Sequence, residues 1–264
     1  MSKLRIQLFN PAIFYYAGAH YRMLPTLSLP ILAAVLNNAG HYTEAVDLEA
    51  LKITPALLEG KFRGQPDAWP DVVGFTALTE TERGCREAIA AVRNAGYAGM
   101  IMVGGVHATL FPEQVLAWGA DLVVTGACEG NRVKLLESGA RGIQKGQTCA
   151  IEDVPIPDWS HHNPQPATYT GNMSILRPHP GITMWTRNCP FNCIFCGNVI
   201  FGGKPTQYRP PANIEAEMRD LKERGCRRIF VYDDELLGTK MPDGWMREVA
   251  DRVGPLDLMW VTQG

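Results

Sequence analysis

Met100-Ile-Met-Val-Gly-Gly-Val-His-Ala-Thr-Leu-Phe-Pro-Glu113 is the stretch whose reading decides the fold. Its four apolar residues, Met100–Val103, predict a short buried strand. Two glycines end the strand, and Pro112 opens a helix, because its fixed φ suits a first turn. The same strand–loop–helix unit recurs upstream. Leu4–Phe9 predicts a first strand that Asn10-Pro11 stops. Ser28 can cap a helix with Pro30 in its first turn, and Ile31, Leu32, Val35 and Leu36 recur at helical spacing until Gly40. Thr43–Leu48 predicts a second strand, and Thr54-Pro55 starts a short helix carrying Leu57, Leu58 and Phe62. Val72–Phe75 predicts a third strand, followed by a long helix from about Thr81 to Ala95. Downstream, Leu122–Thr125 predicts a fifth strand and Glu129–Glu137 a helix. This alternation predicts an α/β fold, a doubly wound, Rossmann-like, parallel five-stranded sheet over residues 1–138.

Such a sheet binds ligands in the loops beyond the carboxyl ends of its strands. Those loops are Asn10–Tyr16, Thr76–Thr79, Gly104–Thr109 and Gly126–Glu129. The first excludes a dinucleotide fold, since Gly-x-Gly-x-x-Gly must follow strand one and this loop has no glycine. Asp47, where a ribose-binding acid would stand, reads as an ordinary strand-end carboxylate.

Residues 139–180 break the alternation with Pro155, Pro157, Pro164, Pro166, Pro178 and Pro180, and read as a Pro-rich linker. No chemical role is assigned to Asp158 or to the pair His161-His162. After it, Gly181-Ile-Thr-Met-Trp185 predicts a buried strand running into Cys189-Pro-Phe-Asn-Cys193-Ile-Phe-Cys196. Three thiolates at C-x3-C-x2-C spacing can grip three irons of a cubane cluster, whereas four cysteines would close it. A zinc knuckle is the alternative, but zinc prefers four ligands, and no His-x3-5-His pair stands near. A helix follows that buries Ile214, Met218 and Leu221, with Glu217 expected on its solvated side. Arg228–Tyr232 predicts a second strand running into Asp233-Asp234-Glu235, Gly244–Val253 a helix, and Leu258–Val261 a third strand.

Composition sets bounds. The 264 residues are 46% hydrophobic and 20% charged, which suits a globular protein of one large or two ordinary domains. A net charge of −2 leaves no electrostatic footprint for nucleic acid or an anionic membrane surface. No apolar stretch is long enough for a signal or a span. Seven cysteines, three of them clustered, suit a reducing cytoplasm better than a disulfide framework, so a cytoplasmic location is expected. Cys85, Cys128, Cys149 and Cys226 read as structural thiols.

The cysteine pattern resembles the radical S-adenosylmethionine (radical SAM) enzymes. The resemblance implies a 4Fe-4S iron–sulfur cluster on Cys189, Cys193 and Cys196, with S-adenosylmethionine chelated by the open iron. It implies cleavage of the sulfonium to a 5′-deoxyadenosyl radical, and a flavodoxin or ferredoxin as electron donor. Phe195 would lie against the adenine, and Asp233, Asp234 and Glu235 are candidates to hold the methionine amino group, an ammonium–carboxylate hydrogen bond being strong. Arg209-Pro-Pro loosely matches the family's opening of the first barrel helix. Pro155-Ile-Pro-Asp-Trp159 resembles the segment that precedes the barrel.

Residues 1–138 resemble the cobalamin-binding domain that stands ahead of many radical SAM barrels. Gly104-Gly105-x-His107-x-Thr109 matches the family's strand-four loop, and Gly126-Ala-Cys-Glu129 keeps the first and last members of the strand-five loop. Gly104 and Gly105 would let backbone approach the ring or its tail, and Thr76, Thr79 and Thr109 can bond amide side chains and phosphate. No Asp-x-His-x-x-Gly occurs, so bound cobalamin should lack a protein histidine on cobalt.

The expected function is methyl transfer to an unactivated carbon of an unknown small-molecule or peptide substrate. The alternatives are a radical rearrangement or oxidation without cobalamin, or a non-catalytic cofactor-binding remnant. A radical SAM barrel is expected to need about six strand–helix repeats of about thirty to forty residues. Residues 181–264 supply about two and a half, so the chain is expected to be truncated within the barrel.

Overall fold

The computed structural model describes residues 3–12, 24–169, 176–197, 205–238 and 240–262. These fall into two compact units.

The first unit holds β1 (Arg5–Asn10), α1 (Ser28–Asn38), β2 (Tyr42–Asp47), α2 (Pro55–Gly64), β3 (Val72–Thr76) and α3 (Glu82–Asn94). It continues through β4 (Met100–Gly104), α4 (Val106–Leu110), α5 (Pro112–Ala117), β5 (Leu122–Thr125), α6 (Arg132–Glu137), β6 (Gly142–Lys145) and β7 (His162–Asn163). The strands form one parallel sheet in the order β6-β5-β4-β3-β1-β2-β7.

Both faces are covered, and the sequence shows why. All five residues of β3 are buried, as its continuous apolar run requires of a strand packed on both sides. On one face Phe9, Phe75, Val103 and Val123 pack with Leu58 and Phe62 of α2 and Cys85, Ile89 and Val92 of α3. On the other, Ile6, Leu8, Ala45, Met102 and Val124 pack with Leu29 and Leu36 of α1 and Leu136 of α6. The chain runs from β1 to β2 on one side and returns to β3 on the other. The order therefore reverses at β1, and the crevice between the C-terminal ends of β1 and β3 is the switch point where such sheets take ligands.

The sheet has seven strands rather than the five expected, and both additions come from the segment read as a linker. β6 is a half-exposed edge strand and β7 has two residues, so neither carries a buried apolar run. The helix expected from Glu129 begins at Arg132, after a turn in which Arg132 N–H donates to Cys128 O.

The second unit holds β8 (Pro180–Thr183), β9 (Thr186–Arg187), β10 (Gln207–Tyr208), α7 (Pro211–Glu223), β11 (Arg228–Val231), α8 (Trp245–Val253) and β12 (Met259–Thr262). β8, β11 and β12 form a parallel sheet in the order β12-β11-β8. The strand expected over Gly181–Trp185 is split. β8 stops at Thr183, and β9 pairs antiparallel with β10, so the cysteine segment leaves a two-stranded ribbon. Ile214, Met218 and Leu221 are buried as their spacing predicts. Among the described residues no helix is long and apolar enough to cross a membrane.

Candidate functional site

At the C-terminal edge of the seven-stranded sheet, the loops after β3, β4 and β5 are tied together. Ala77 N–H donates to Gly104 O at 2.7 Å, and His107 N–H donates to Ala77 O at 2.9 Å. Gly105 has φ 106°, and a Cβ there would lie 2.6 Å from Ala77 O, so the position admits glycine alone. Thr109 Oγ1 donates to Gly105 O at 2.9 Å and accepts from Gly126 N–H at 2.8 Å. Gly104, Gly105, Thr109 and Gly126 thus form one bonded rim, and Thr76 Oγ1 stands 3.1 Å from where a Gly105 Cβ would be. Thr109, expected to face a ligand, spends its hydroxyl on that rim.

His107 is buried, its Nδ1 is 3.4 Å from Thr79 Oγ1, and its ring stacks on Trp118 with centroids 5.5 Å apart. Burial lowers its pKa and so favours the neutral imidazole, and among the described residues its Nε2 has no hydrogen-bond partner. Glu129 is half-buried on the turn before α6. The first loop's residues 13–16 lie outside the described residues.

In the second unit, Cys189, Cys193 and Cys196 are free thiols on the segment after β9. Cys193 is exposed, the other two are partly so, and Cys196 N–H donates to Cys193 O at 3.0 Å. Phe195 is exposed. Among the described residues, no three His, Cys, Asp or Glu side chains are gathered into a ready metal site. The donor set nevertheless fits iron, with three accessible thiols within eight residues.

Asp233 is the buried member of its acidic trio. Its Oδ1 accepts from Trp185 N–H at 2.8 Å and its Oδ2 from Thr186 N–H at 3.0 Å. Burial raises its pKa to about 6 despite these bonds. Both carboxylate oxygens therefore hold the bend between β8 and β9. Glu235 Oε1 accepts from Leu237 N–H at 3.0 Å, while Asp234 is exposed.

Glu217 corrects the sequence reading. It is 1% exposed and pairs with the equally buried Arg209 at 2.5 Å, rather than facing solvent. Arg209 also donates from Nη1 to Met184 O at 2.7 Å and from its backbone to Trp185 O at 3.0 Å. Arg209 and Asp233 thus grip opposite sides of the bend that precedes the cysteines.

The family model for the B12 binding domain matches residues 19–136. Among curated proteins, the chain is 26% identical over 221 residues to an uncharacterized methyltransferase of Synechocystis, covering 83% of this chain and 38% of the relative. It is 26% identical over 255 residues to the hopanoid C-3 methylase of Methylococcus capsulatus, covering 88% and 46%. Its fold matches OxsB, a cobalamin-dependent S-adenosylmethionine radical enzyme, with TM-score 0.66 at 15% identity, covering 96% of this chain and 37% of that one. It also matches the radical S-adenosylmethionine methyltransferase TsrM of Kitasatospora setae, with TM-score 0.66 at 19% identity, covering 96% and 52%. Residues 19–136 thus match the B12 binding domain, and the chain shares its fold with cobalamin-dependent radical S-adenosylmethionine enzymes. It spans less than half the length of the curated relatives it matches.

The B12 match covers the rim described above. The rim suits a corrinoid, since glycine backbone lines its edge and, among the described residues, His107 Nε2 and the buried carboxamide of Asn10 lack partners. Asn10 was read from sequence only as a strand terminator. It is fully buried at the end of β1, and among the described residues both polar atoms of its carboxamide are unpaired.

Proposed function

We propose that this polypeptide is the cofactor-binding part of a radical SAM methyltransferase, holding cobalamin on the first unit and a 4Fe-4S cluster with S-adenosylmethionine on the second. The observation that carries the first half is the coincidence of the B12 domain match with a rim of Gly104, Gly105 and Gly126 at the sheet's ligand edge. The second half rests on three free thiols at C-x3-C-x2-C spacing beyond a parallel strand. When bound, the cluster supplies an electron for cleaving the sulfonium, and cobalamin supplies a methyl carrier.

The chain's own residues position these groups. Cys189, Cys193 and Cys196 ligate, while Arg209 and Asp233 fix the bend that launches their loop. Asp234 is the exposed carboxylate free of that bend and the best placed of the trio to take an ammonium. Phe195 offers an apolar face to the adenine. A one-electron donor of the flavodoxin or ferredoxin class completes the system, and the substrate is a small molecule or peptide with an unactivated carbon.

One observation favours a second reading. Two relatives, at 26% and 27% identity, are anaerobic magnesium-protoporphyrin IX monomethyl ester cyclases, so radical chemistry without methyl transfer is the alternative outcome. Metal analysis after anaerobic reconstitution with iron and sulfide tests the cluster. About four irons per chain, lost in Cys193→Ala, is expected; stoichiometric zinc would overturn it.

A further inference from the structure

The strand register places Asn10, Thr76 and Gly104 side by side. Thr76 pairs with Gly104, and the pair Phe9–Phe75 carries Asn10 next to Thr76. Each lies two residues beyond Leu8, Gly74 or Met102, which touch one another on the face covered by α1 and α6. All three residues therefore share that face, at the switch point.

Arg132 of α6 reaches the same row. Its Nη2 lies 3.9 Å from where a Gly104 Cβ would be, and its Nη1 lies 2.7 Å from Met102 Sδ. The side chain is 3% exposed, its Nε has no partner, and among the described residues no carboxylate forms an ion pair with it. This is costly chemistry. A guanidinium cannot shed its proton to escape burial, and a thioether sulfur is a weak acceptor that compensates no charge. An apolar side chain would suit Met102, Val124 and Leu136 better. On the same row, two strands from Gly104, Asn10 holds among the described residues an unpaired donor and an unpaired acceptor at 0% exposure. A cation with no counter-ion and a carboxamide with no partner among the described residues, on one row, are complementary to a singly charged anion flanked by amides.

We propose that Arg132 and Asn10 form an anion-binding subsite at the switch point that takes a phosphodiester. On the cobalamin reading, on which this part rests, that group is the phosphodiester of the cofactor's nucleotide tail, with Asn10 bonding a neighbouring amide of the corrinoid. The guanidinium fork matches two phosphate oxygens, and the single charges cancel.

The test compares aquacobalamin with cobinamide, which lacks the nucleotide tail, by absorbance titration of the full chain, Arg132→Met and Arg132→Lys. The wild type is expected to bind cobalamin at least about tenfold tighter than cobinamide, the scale of one charge-assisted contact. Arg132→Met erases that preference and leaves cobinamide affinity unchanged, while Arg132→Lys recovers part of it. A preference kept in Arg132→Met, or an equal loss for both corrinoids, overturns the proposal. Wild type that binds neither corrinoid means that the cobalamin reading has failed. Inorganic phosphate then decides: a rise in wild-type melting temperature that Arg132→Met lacks keeps the anion subsite with another phosphoryl ligand, and no rise overturns it.

Discussion

The carboxylate of Asp233 and the backbone N–H of Trp185 are 2.8 Å apart across the second sheet, joining the end of β11 to the bend that leads into the cysteines. With Thr186 N–H on its other oxygen, Asp233 acts as a clasp on main chain. A buried carboxylate that accepts backbone N–H groups is held in one place, as an anchor for the loop must be.

That clasp has a pH signature. The folded-state pKa of Asp233 is raised to about 6, above its unfolded value. The stability it contributes is therefore fully present below the unfolded value and is lost as pH rises through about 6. Relative to Asp233→Asn, wild type should lose on the order of 3 kcal/mol between pH 3.5 and 7. Urea unfolding of both proteins across that range checks this, and a gap that does not change with pH would contradict it.

Arg209 and Glu217 predict a non-additive pair. Removing one member leaves the other charged and buried, so Glu217→Leu should cost about 3–5 kcal/mol. The double variant Arg209→Met with Glu217→Leu should cost less than the sum of the single changes. A denaturation cycle over the four proteins measures the coupling; additive effects would mean that the ion pair is not formed.

Gly105 predicts a local lesion with a binding consequence. Alanine there is strained at φ 106° and meets Ala77 O, so Gly105→Ala should destabilise by about 1–3 kcal/mol and weaken cobalamin binding. Thr109→Val should show a milder version, because it strands Gly126 N–H, whereas Thr109→Ser keeps the rim. Melting temperature and corrinoid titration read both effects.

Much of this was legible in the sequence because the first sheet is buried on both faces. Val72–Phe75, Met100–Val103 and Leu122–Thr125 are apolar runs that water cannot tolerate at a surface. β6 and β7 escaped because an edge strand carries no such run. Glu217 was misread for another reason. Its burial depends on Arg209, eight residues upstream, and helical periodicity shows a position but not its partner. Within the acidic trio, the structure buries Asp233 and exposes Asp234. β11 itself is buried at Ile229, Phe230 and Val231 alike, so no alternation along the strand could single out Asp233 from the sequence. Asn10 and Arg132 gave no signal, because an unpaired buried group is visible only once its neighbours are known.

The most direct measurement is electron paramagnetic resonance of the anaerobically reconstituted, reduced protein, with and without S-adenosylmethionine. A reduced-cluster signal that shifts when S-adenosylmethionine is added is expected, because the iron left open by Cys189, Cys193 and Cys196 would change its ligands. A cluster signal indifferent to S-adenosylmethionine, or no cluster signal at all, would contradict it.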